Sequence, residues 1–125
     1  MFSHIVVGSN DLDRSRKFYD ATFAAIGAGA GALDAKGRLV YAKDGARLLV
    51  TRPIDGNAAT HANGGTIGLK MDSPQAVKAW HDAGVANGGT SIENPPGVRE
   101  GPAGKLFLAY LRDPDGNKLC GRAAA

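Results

Sequence analysis

The sequence has little of several features that would place it in a special class. It contains a single cysteine, so no internal disulfide can form and nothing indicates an oxidising compartment. Its longest apolar run, LFLAYL at residues 106–111, is far too short to cross a membrane. The N-terminal MFSHIVVG has neither a basic leader nor a long apolar stretch, so we expect no signal peptide. These absences favour a cytoplasmic protein with no membrane partner.

The sequence also lacks a strong excess of positive or negative charge. The 15 lysines and arginines nearly balance the 12 acidic residues, and the basic residues are scattered. The densest basic group, within residues 11–20, alternates with three aspartates, which is typical of a solvated helix face. Because nucleic-acid binding requires a one-sided basic stripe, we expect no nucleic-acid partner.

An internal repeat organises the chain, whose 125 residues and 43% hydrophobic content suit one domain with a buried core. HIVVGSNDLDRSRKFYDATFAAIG, from residue 4, aligns without gaps with TIGLKMDSPQAVKAWHDAGVANGG, from residue 66. Each copy is predicted to form a short strand and then an amphipathic helix that ends at glycine. Ser9 or Asn10 is expected to cap the first helix, and Ser73, followed by Pro74, the second.

Two β-like runs joined by a turn follow each helix. The turns are Asp44-Gly45 in the first copy and residues 113–116, Asp-Pro-Asp-Gly, in the second. A less regular strand is expected directly after each helix, near residues 29–34 and 90–93. The sequence therefore predicts an α+β fold of two βαβββ modules. Their expected bounds are 1–53 and 64–122, with a Gly/Asn-rich linker at 54–63.

Alternation along the predicted strands separates two faces of each sheet. One face is wholly aliphatic and suits packing under the helices: Ile5, Val7, Leu48, Val50, Ile67, Leu69 and Leu119. The other face collects the polar positions together with a leucine and the cysteine: His4, Arg47, Leu49, Thr51, Thr66, Lys70, Lys118, Cys120 and Arg122. Any binding site made by the sheets is therefore expected on the second face.

The paired modules, with SNDLDRSRKFYD after the first strand and YLRDPDGNKL before the last, resemble the vicinal oxygen chelate superfamily. This is the group of glyoxalases, bleomycin resistance proteins and extradiol dioxygenases. The resemblance covers nearly the whole chain. It implies two curled mixed sheets around a cavity that holds a small organic molecule, and assembly as a homodimer. It does not by itself identify a reaction.

The resemblance also implies four positions for metal ligands, on the first and last strand of each module. They fall on His4, Leu49, Thr66 and Cys120, and the familiar ending DPDGNKLE has Cys120 in place of its glutamate. Only His4 and Cys120 are credible donors, whereas catalytic zinc sites typically have three protein ligands. A divalent metal ion is thus the one cofactor implied, at an incomplete site, and lactoylglutathione lyase activity is not expected.

Two interpretations of the site stay open at this point. His4 and Cys120 are the candidate catalytic pair, because an imidazolium would stabilise a nucleophilic thiolate; alternatively, Cys120 is a small buried hydrophobe and His4 is inert. The candidate ligand-binding residues are Arg47, Leu49, Thr66, Tyr110 and Lys118. The leading hypothesis is a protein that binds a small organic molecule in its inter-module cavity. The alternative is a metal-dependent lyase, thiol transferase or dioxygenase of the same superfamily.

Overall fold

The computed structural model describes residues 1–125 as two successive βαβββ modules. The first comprises β1 (His4–Gly8), α1 (Leu12–Ala24), β2 (Ala32–Leu33), β3 (Leu39–Lys43) and β4 (Ala46–Thr51). The second comprises β5 (Ile67–Lys70), α2 (Pro74–Ala86), β6 (Thr90–Gly101), β7 (Gly104–Arg112) and β8 (Lys118–Ala124). The expected order of elements is confirmed. Residues 52–66, between β4 and β5, contain no helix or strand.

Each module forms one open, four-stranded mixed sheet. The strand order β1-β4-β3-β2 of the first sheet recurs as β5-β8-β7-β6 in the second. The first and last strands of each module pair in parallel, and Leu49 lies opposite Val6 as Cys120 lies opposite Gly68. The two last-strand positions therefore occupy equivalent points of the two sheets, as the gapless match of DGARLL at 44–49 with DGNKLC at 115–120 predicts.

The start of α1 differs from the expectation in its capping residue. Asp11 is the N-cap, and its side chain accepts a hydrogen bond from the backbone N–H three residues on, at 3.1 Å. The predicted caps make other contacts: the Ser9 hydroxyl is hydrogen-bonded to the Ser15 hydroxyl at 2.6 Å and accepts from the Asp11 backbone N–H at 3.1 Å. The Asn10 side chain is hydrogen-bonded to the backbone of Ala59. The second helix begins as predicted, with its serine cap and its proline.

One hydrophobic core lies between the two helices and one face of each sheet, here called the helix face. The residues predicted for this face all belong to the core or pack against it: Ile5, Val7, Leu48, Val50, Ile67, Leu69 and Leu119. Trp80 of α2 is 1% exposed and is also part of this core. The opposite face of each sheet, here called the open face, contributes no residue to the core. It carries the predicted polar positions.

The two modules meet through their helices. Gly84 of α2 sits where a β-carbon would lie 2.4 Å from Leu111 Cδ1 and 3.2 Å from Phe18 Cε2. Glycine at this position leaves room for both Leu111 of β7 and Phe18 of α1 to pack closely against α2. The relative position of the two sheets therefore depends on this helix contact, because no strand of one sheet pairs with a strand of the other.

The turn at residues 113–117 forms a second link between the modules. Asp113 is buried and accepts a hydrogen bond from the Tyr19 hydroxyl of α1 at 2.6 Å. Asp115 forms an ion pair with Arg14 of α1 at 2.8 Å. The DPDG motif thus does more than close a hairpin, since its carboxylates hold the second module against the first helix.

The edge strand β6 is longer than the sequence predicts, and it is interrupted. Its pairing with β7 shifts register between Ile92 and Gly97, around Pro95 and Pro96. Prolines at an edge strand remove backbone donors and blunt the edge against further pairing. Glu93, at the start of this bulge, has a φ of 58°, an uncommon conformation for a residue other than glycine. Neither helix of the chain combines the length and apolar character needed to span a membrane.

Candidate functional site

Three of the predicted site residues lie side by side on the open face of the second sheet. Tyr110 of β7 is directly opposite Cys120 of β8, and Lys118 lies two residues before Cys120 on the same strand. The Lys118 ammonium is 5.0 Å from the centre of the Tyr110 ring, within the range of a cation–π contact. The opposite side of β7 carries Phe107, which is buried in the core. The structure therefore brings Tyr110, Lys118 and Cys120 together.

Sequence reasoning missed a fourth member of this group, Glu93. Its carboxylate is ion-paired with Lys118, and the residue lies at the start of the β6 bulge with a φ of 58°. The bulge is also braced by Arg99, whose guanidinium donates to the carbonyl of Pro95 at 2.9 Å. The signal in the sequence was the Asn-Pro-Pro that follows Glu93, which marks an irregular edge strand but does not show where the carboxylate points.

The environment of Cys120 favours the neutral thiol. Burial raises the pKa of the Cys120 thiol, a hydrogen bond with the Tyr110 hydroxyl lowers it, and the negative charge of Glu93 raises it again. The net effect is a pKa above the ordinary value for cysteine. Burial likewise raises the pKa of Tyr110, with the thiol of Cys120 as the next cause. A thiol with a raised pKa is a weak nucleophile near neutral pH.

His4 and Arg47 lie together in a different place. They are paired across β1 and β4, are exposed, and line a cleft of about 370 Å³ between the modules. We call this space the inter-module cleft; its walls come from the N-terminal residues, β1, β3 and the turn after it, β4, β5 and the end of α1. Nine of its 16 lining residues are hydrophobic, and Ile5, Leu48, Ile67 and Leu69 among them belong to the helix face. The apolar wall of the cleft therefore does not lie on the open face, where the sequence predicted a binding site. The His4 imidazole Nδ1 is hydrogen-bonded to the Ser3 hydroxyl at 2.8 Å.

The two remaining predicted residues lie away from the inter-module cleft. Thr66, just before β5, lines a second cleft of about 320 Å³, which also contacts Lys118 and the end of β1. Leu49 is 4% exposed, outside the core cluster and on the open face, opposite Val6. Neither cleft is lined by Leu49, Tyr110 or Cys120.

The candidate catalytic pair is not in contact within one chain. The hydrogen-bonded partner of the His4 side chain is Ser3, the Cys120 thiol donates to the Gly121 carbonyl at 3.8 Å, and no hydrogen bond joins His4 to Cys120. No group of three or more His, Cys, Asp or Glu side chains is arranged to hold a metal ion. With leucine and threonine at the other two positions, the donors of one chain do not fit the divalent metal that the resemblance implies.

Comparison with known proteins agrees with this architecture. The family model described as the Glyoxalase/Bleomycin resistance protein/Dioxygenase superfamily matches residues 1–120. The chain belongs to this superfamily. The glyoxalase/bleomycin resistance protein from Albidiferax ferrireducens T118 is similar in both sequence and structure. It is 51% identical and superposes with a TM-score of 0.94, with 98% of each chain covered. No curated protein matches the chain.

More distant superfamily structures share the fold alone. A glyoxalase-related enzyme from Fulvimarina pelagi is 20% identical, with a TM-score of 0.74 over 98% of this chain and 87% of its own. A lactoylglutathione lyase from Agrobacterium tumefaciens is 19% identical, with a TM-score of 0.67 over 98% of this chain and 92% of its own. At such identities a glyoxalase-like fold is shared, and the reaction of the relative does not transfer.

Proposed function

We propose that this glyoxalase-like protein binds a small organic molecule in the inter-module cleft. The observation that carries the proposal is the cleft itself. Its volume of about 370 Å³ falls within the range of small-molecule pockets, about 300–1,000 Å³, and its wall is mostly apolar with a few polar groups at the margin. His4 and Arg47, two residues expected in the site from the sequence, contribute two of those groups.

A second candidate function is the metal-dependent chemistry of the superfamily. It is favoured by one observation, the exposed His4 imidazole at the start of β1, where metal-using members place a ligand. The donors of one chain do not complete the site, so this function requires at least one further ligand from a partner subunit. Binding without metal requires no such addition, and we therefore place it first.

The proposed role of the cleft can be tested by a substitution that places a large side chain in it, at a position where the backbone leaves room for one. A β-carbon at Gly68, which lines the cleft, would meet nothing within 4 Å, so Gly68→Phe is expected to fold. Gly29→Phe is a matched control, because Gly29 is also exposed and free of neighbours but lies outside the cleft. A small apolar ligand should raise the melting temperature of the parent and of Gly29→Phe by mass action, and that of Gly68→Phe much less.

The two candidate functions are separated by elemental analysis of tag-free protein after incubation with zinc and manganese salts and desalting. We expect far less than one metal ion per chain, with ligand binding in the parent unchanged by a chelator. One tightly held ion per chain that is lost in His4→Ala would instead favour the metal-dependent enzyme. Equal ligand responses of the parent and Gly68→Phe would show that the inter-module cleft is not the binding site.

A further inference from the structure

We infer that the ligand of the inter-module cleft is a small amphipathic anion, an apolar body that carries a carboxylate or a similar acid group. This inference rests on the proposed function and adds the chemical class of the ligand. It follows from the unequal charge at the margin of the cleft and from the aromatic character of its wall.

The margin of the cleft has more positive than negative groups. Lys43, Arg47 and Lys70 line it, together with one carboxylate, Asp44, which is ion-paired with Lys43 at 3.1 Å. Arg47 and Lys70 form no salt bridge, and their side chains make no hydrogen bond within the chain. Two cations without partners beside an apolar surface provide a field that favours an anion.

These two cations come from different modules. Arg47 is on β4 of the first sheet, and Lys70 is at the end of β5 of the second. Both line the same cleft, so an acid group bound there would lie in the field of cations from both modules. Arginine presents a planar fork that binds a carboxylate through two parallel hydrogen bonds, and lysine adds a compact charge.

The inner wall of the cleft suits an apolar body. Phe23 and Tyr41 are stacked with ring centres 4.9 Å apart, and both line the cleft. The Tyr41 hydroxyl donates to Asp20 at 2.7 Å, so its polar end is already satisfied within the protein. Ile5, Leu48 and Leu69 extend this apolar surface. A neutral polar ligand would find few partners here, whereas an aromatic or short aliphatic group would be desolvated favourably.

The test uses three probes of one shape and different charge: phenylacetate, phenylacetamide and phenethylamine. Each is titrated into the full-length protein at low salt, and binding is followed by amide chemical shifts, including those of Gly68 and Leu69. Arg47→Gln and Lys70→Gln remove the two cations. Arg52→Gln and Lys36→Gln are matched controls, because both side chains are exposed and line neither cleft.

We expect phenylacetate to bind the parent about ten-fold or more tightly than phenylacetamide, and phenethylamine to bind most weakly. Arg47→Gln and Lys70→Gln should each lower phenylacetate affinity towards that of the amide, while the two controls leave it unchanged. The preference for the acid should decline as salt concentration rises, because the cations lie at an exposed margin.

Three results would overturn the inference, and they differ in what they say about the proposed function. If the amide binds as tightly as the acid, and Gly68→Phe abolishes both, the cleft binds small molecules but does not select anions. If phenylacetate binding survives Gly68→Phe, the acid site lies elsewhere. If no probe binds, and Gly68→Phe lowers the oligomer mass instead, a second copy of the chain occupies the cleft and both proposals fail.

Discussion

The Tyr19 hydroxyl donates a hydrogen bond of 2.6 Å to Asp113, which lies 94 positions later in the chain and in the other module. Asp113 also accepts from the Asn117 side chain and from the backbone N–H groups of Asp115 and Asn117. A buried carboxylate with this many donors is fully satisfied, so the DPDG turn is held rigidly against α1. This contact couples the two modules through polar groups, whereas the contact between α1 and α2 couples them by apolar packing.

We predict that this contact contributes measurably to stability. Tyr19→Phe should lower the free energy of unfolding by about 1–3 kcal/mol, because it leaves a buried carboxylate without one of its donors. A double-mutant cycle with Asp113→Asn isolates the pairwise energy by urea denaturation. A coupling energy near zero would show that the hydrogen bond does not link the modules energetically.

We also predict that Tyr19 lowers the free energy of unfolding at alkaline pH. Burial raises the pKa of Tyr19 well above its ordinary value, with Asp113 as the next cause, and burial also raises the pKa of Tyr41. A group with a raised folded-state pKa stabilises the protein fully below its unfolded pKa, about 10, and loses this contribution as pH rises towards the folded-state value. The parent should therefore lose stability above about pH 10 more steeply than Tyr19→Phe. Parallel curves would contradict the prediction.

We predict a poorly reactive thiol at Cys120. Because burial raises its pKa, the rate of iodoacetamide alkylation should stay low near neutral pH and rise only above the ordinary cysteine pKa. His4→Ala should leave the profile unchanged, since no hydrogen bond joins the two side chains within one chain. Slower alkylation in His4→Ala would instead show that the pair meets, for example across a subunit interface, and would restore the catalytic hypothesis.

We predict that the protein forms a homodimer. Besides the family resemblance, the outer edge strands β2 and β6, which do not line the inter-module cleft, are each unpaired on one side, and Val6 on the open face is 45% exposed. Exposed edges and apolar patches of this kind are normally covered in the functional assembly. Light scattering should give twice the chain mass, and Val6→Glu should lower it. A monomer mass across a wide concentration range would exclude the dimer.

We predict negligible lactoylglutathione lyase activity. By the family resemblance this reaction uses a carboxylate base, and Leu49 and Cys120 occupy the two positions where the carboxylates are expected. A leucine cannot accept a proton, and a thiol with a raised pKa is mostly protonated near neutral pH. Thioester formation from the methylglyoxal–glutathione adduct, measured with added zinc, nickel or manganese, should not exceed the background rate. Robust metal-dependent turnover would show that the site is placed wrongly.

Local sequence was sufficient to predict the module order and the two faces of each sheet. Strand side chains alternate with a period of two, so Ile5, Val7, Leu48 and Val50 could be assigned to one face without knowledge of what covers it. The match of DGARLL with DGNKLC then predicted that Leu49 and Cys120 lie at equivalent points, and the strand register confirms it. These features depend on neighbours along the chain and on the pairing of the first and last strand of each module. The residue pattern of the strands was therefore enough to predict them.

Where the site residues meet was decided only by the tertiary structure. His4 lies in the inter-module cleft, whereas Cys120 lies beside Tyr110 on the second sheet. The two positions are apart because the helix contact at Gly84 and the contact of the 113–117 turn with α1 determine how the two sheets are placed. The position of the Glu93 carboxylate likewise depends on a bulge at a sheet edge. Contacts between distant segments depend on how side chains pack and on the course of the loops, and the local periodicity of the sequence does not predict either.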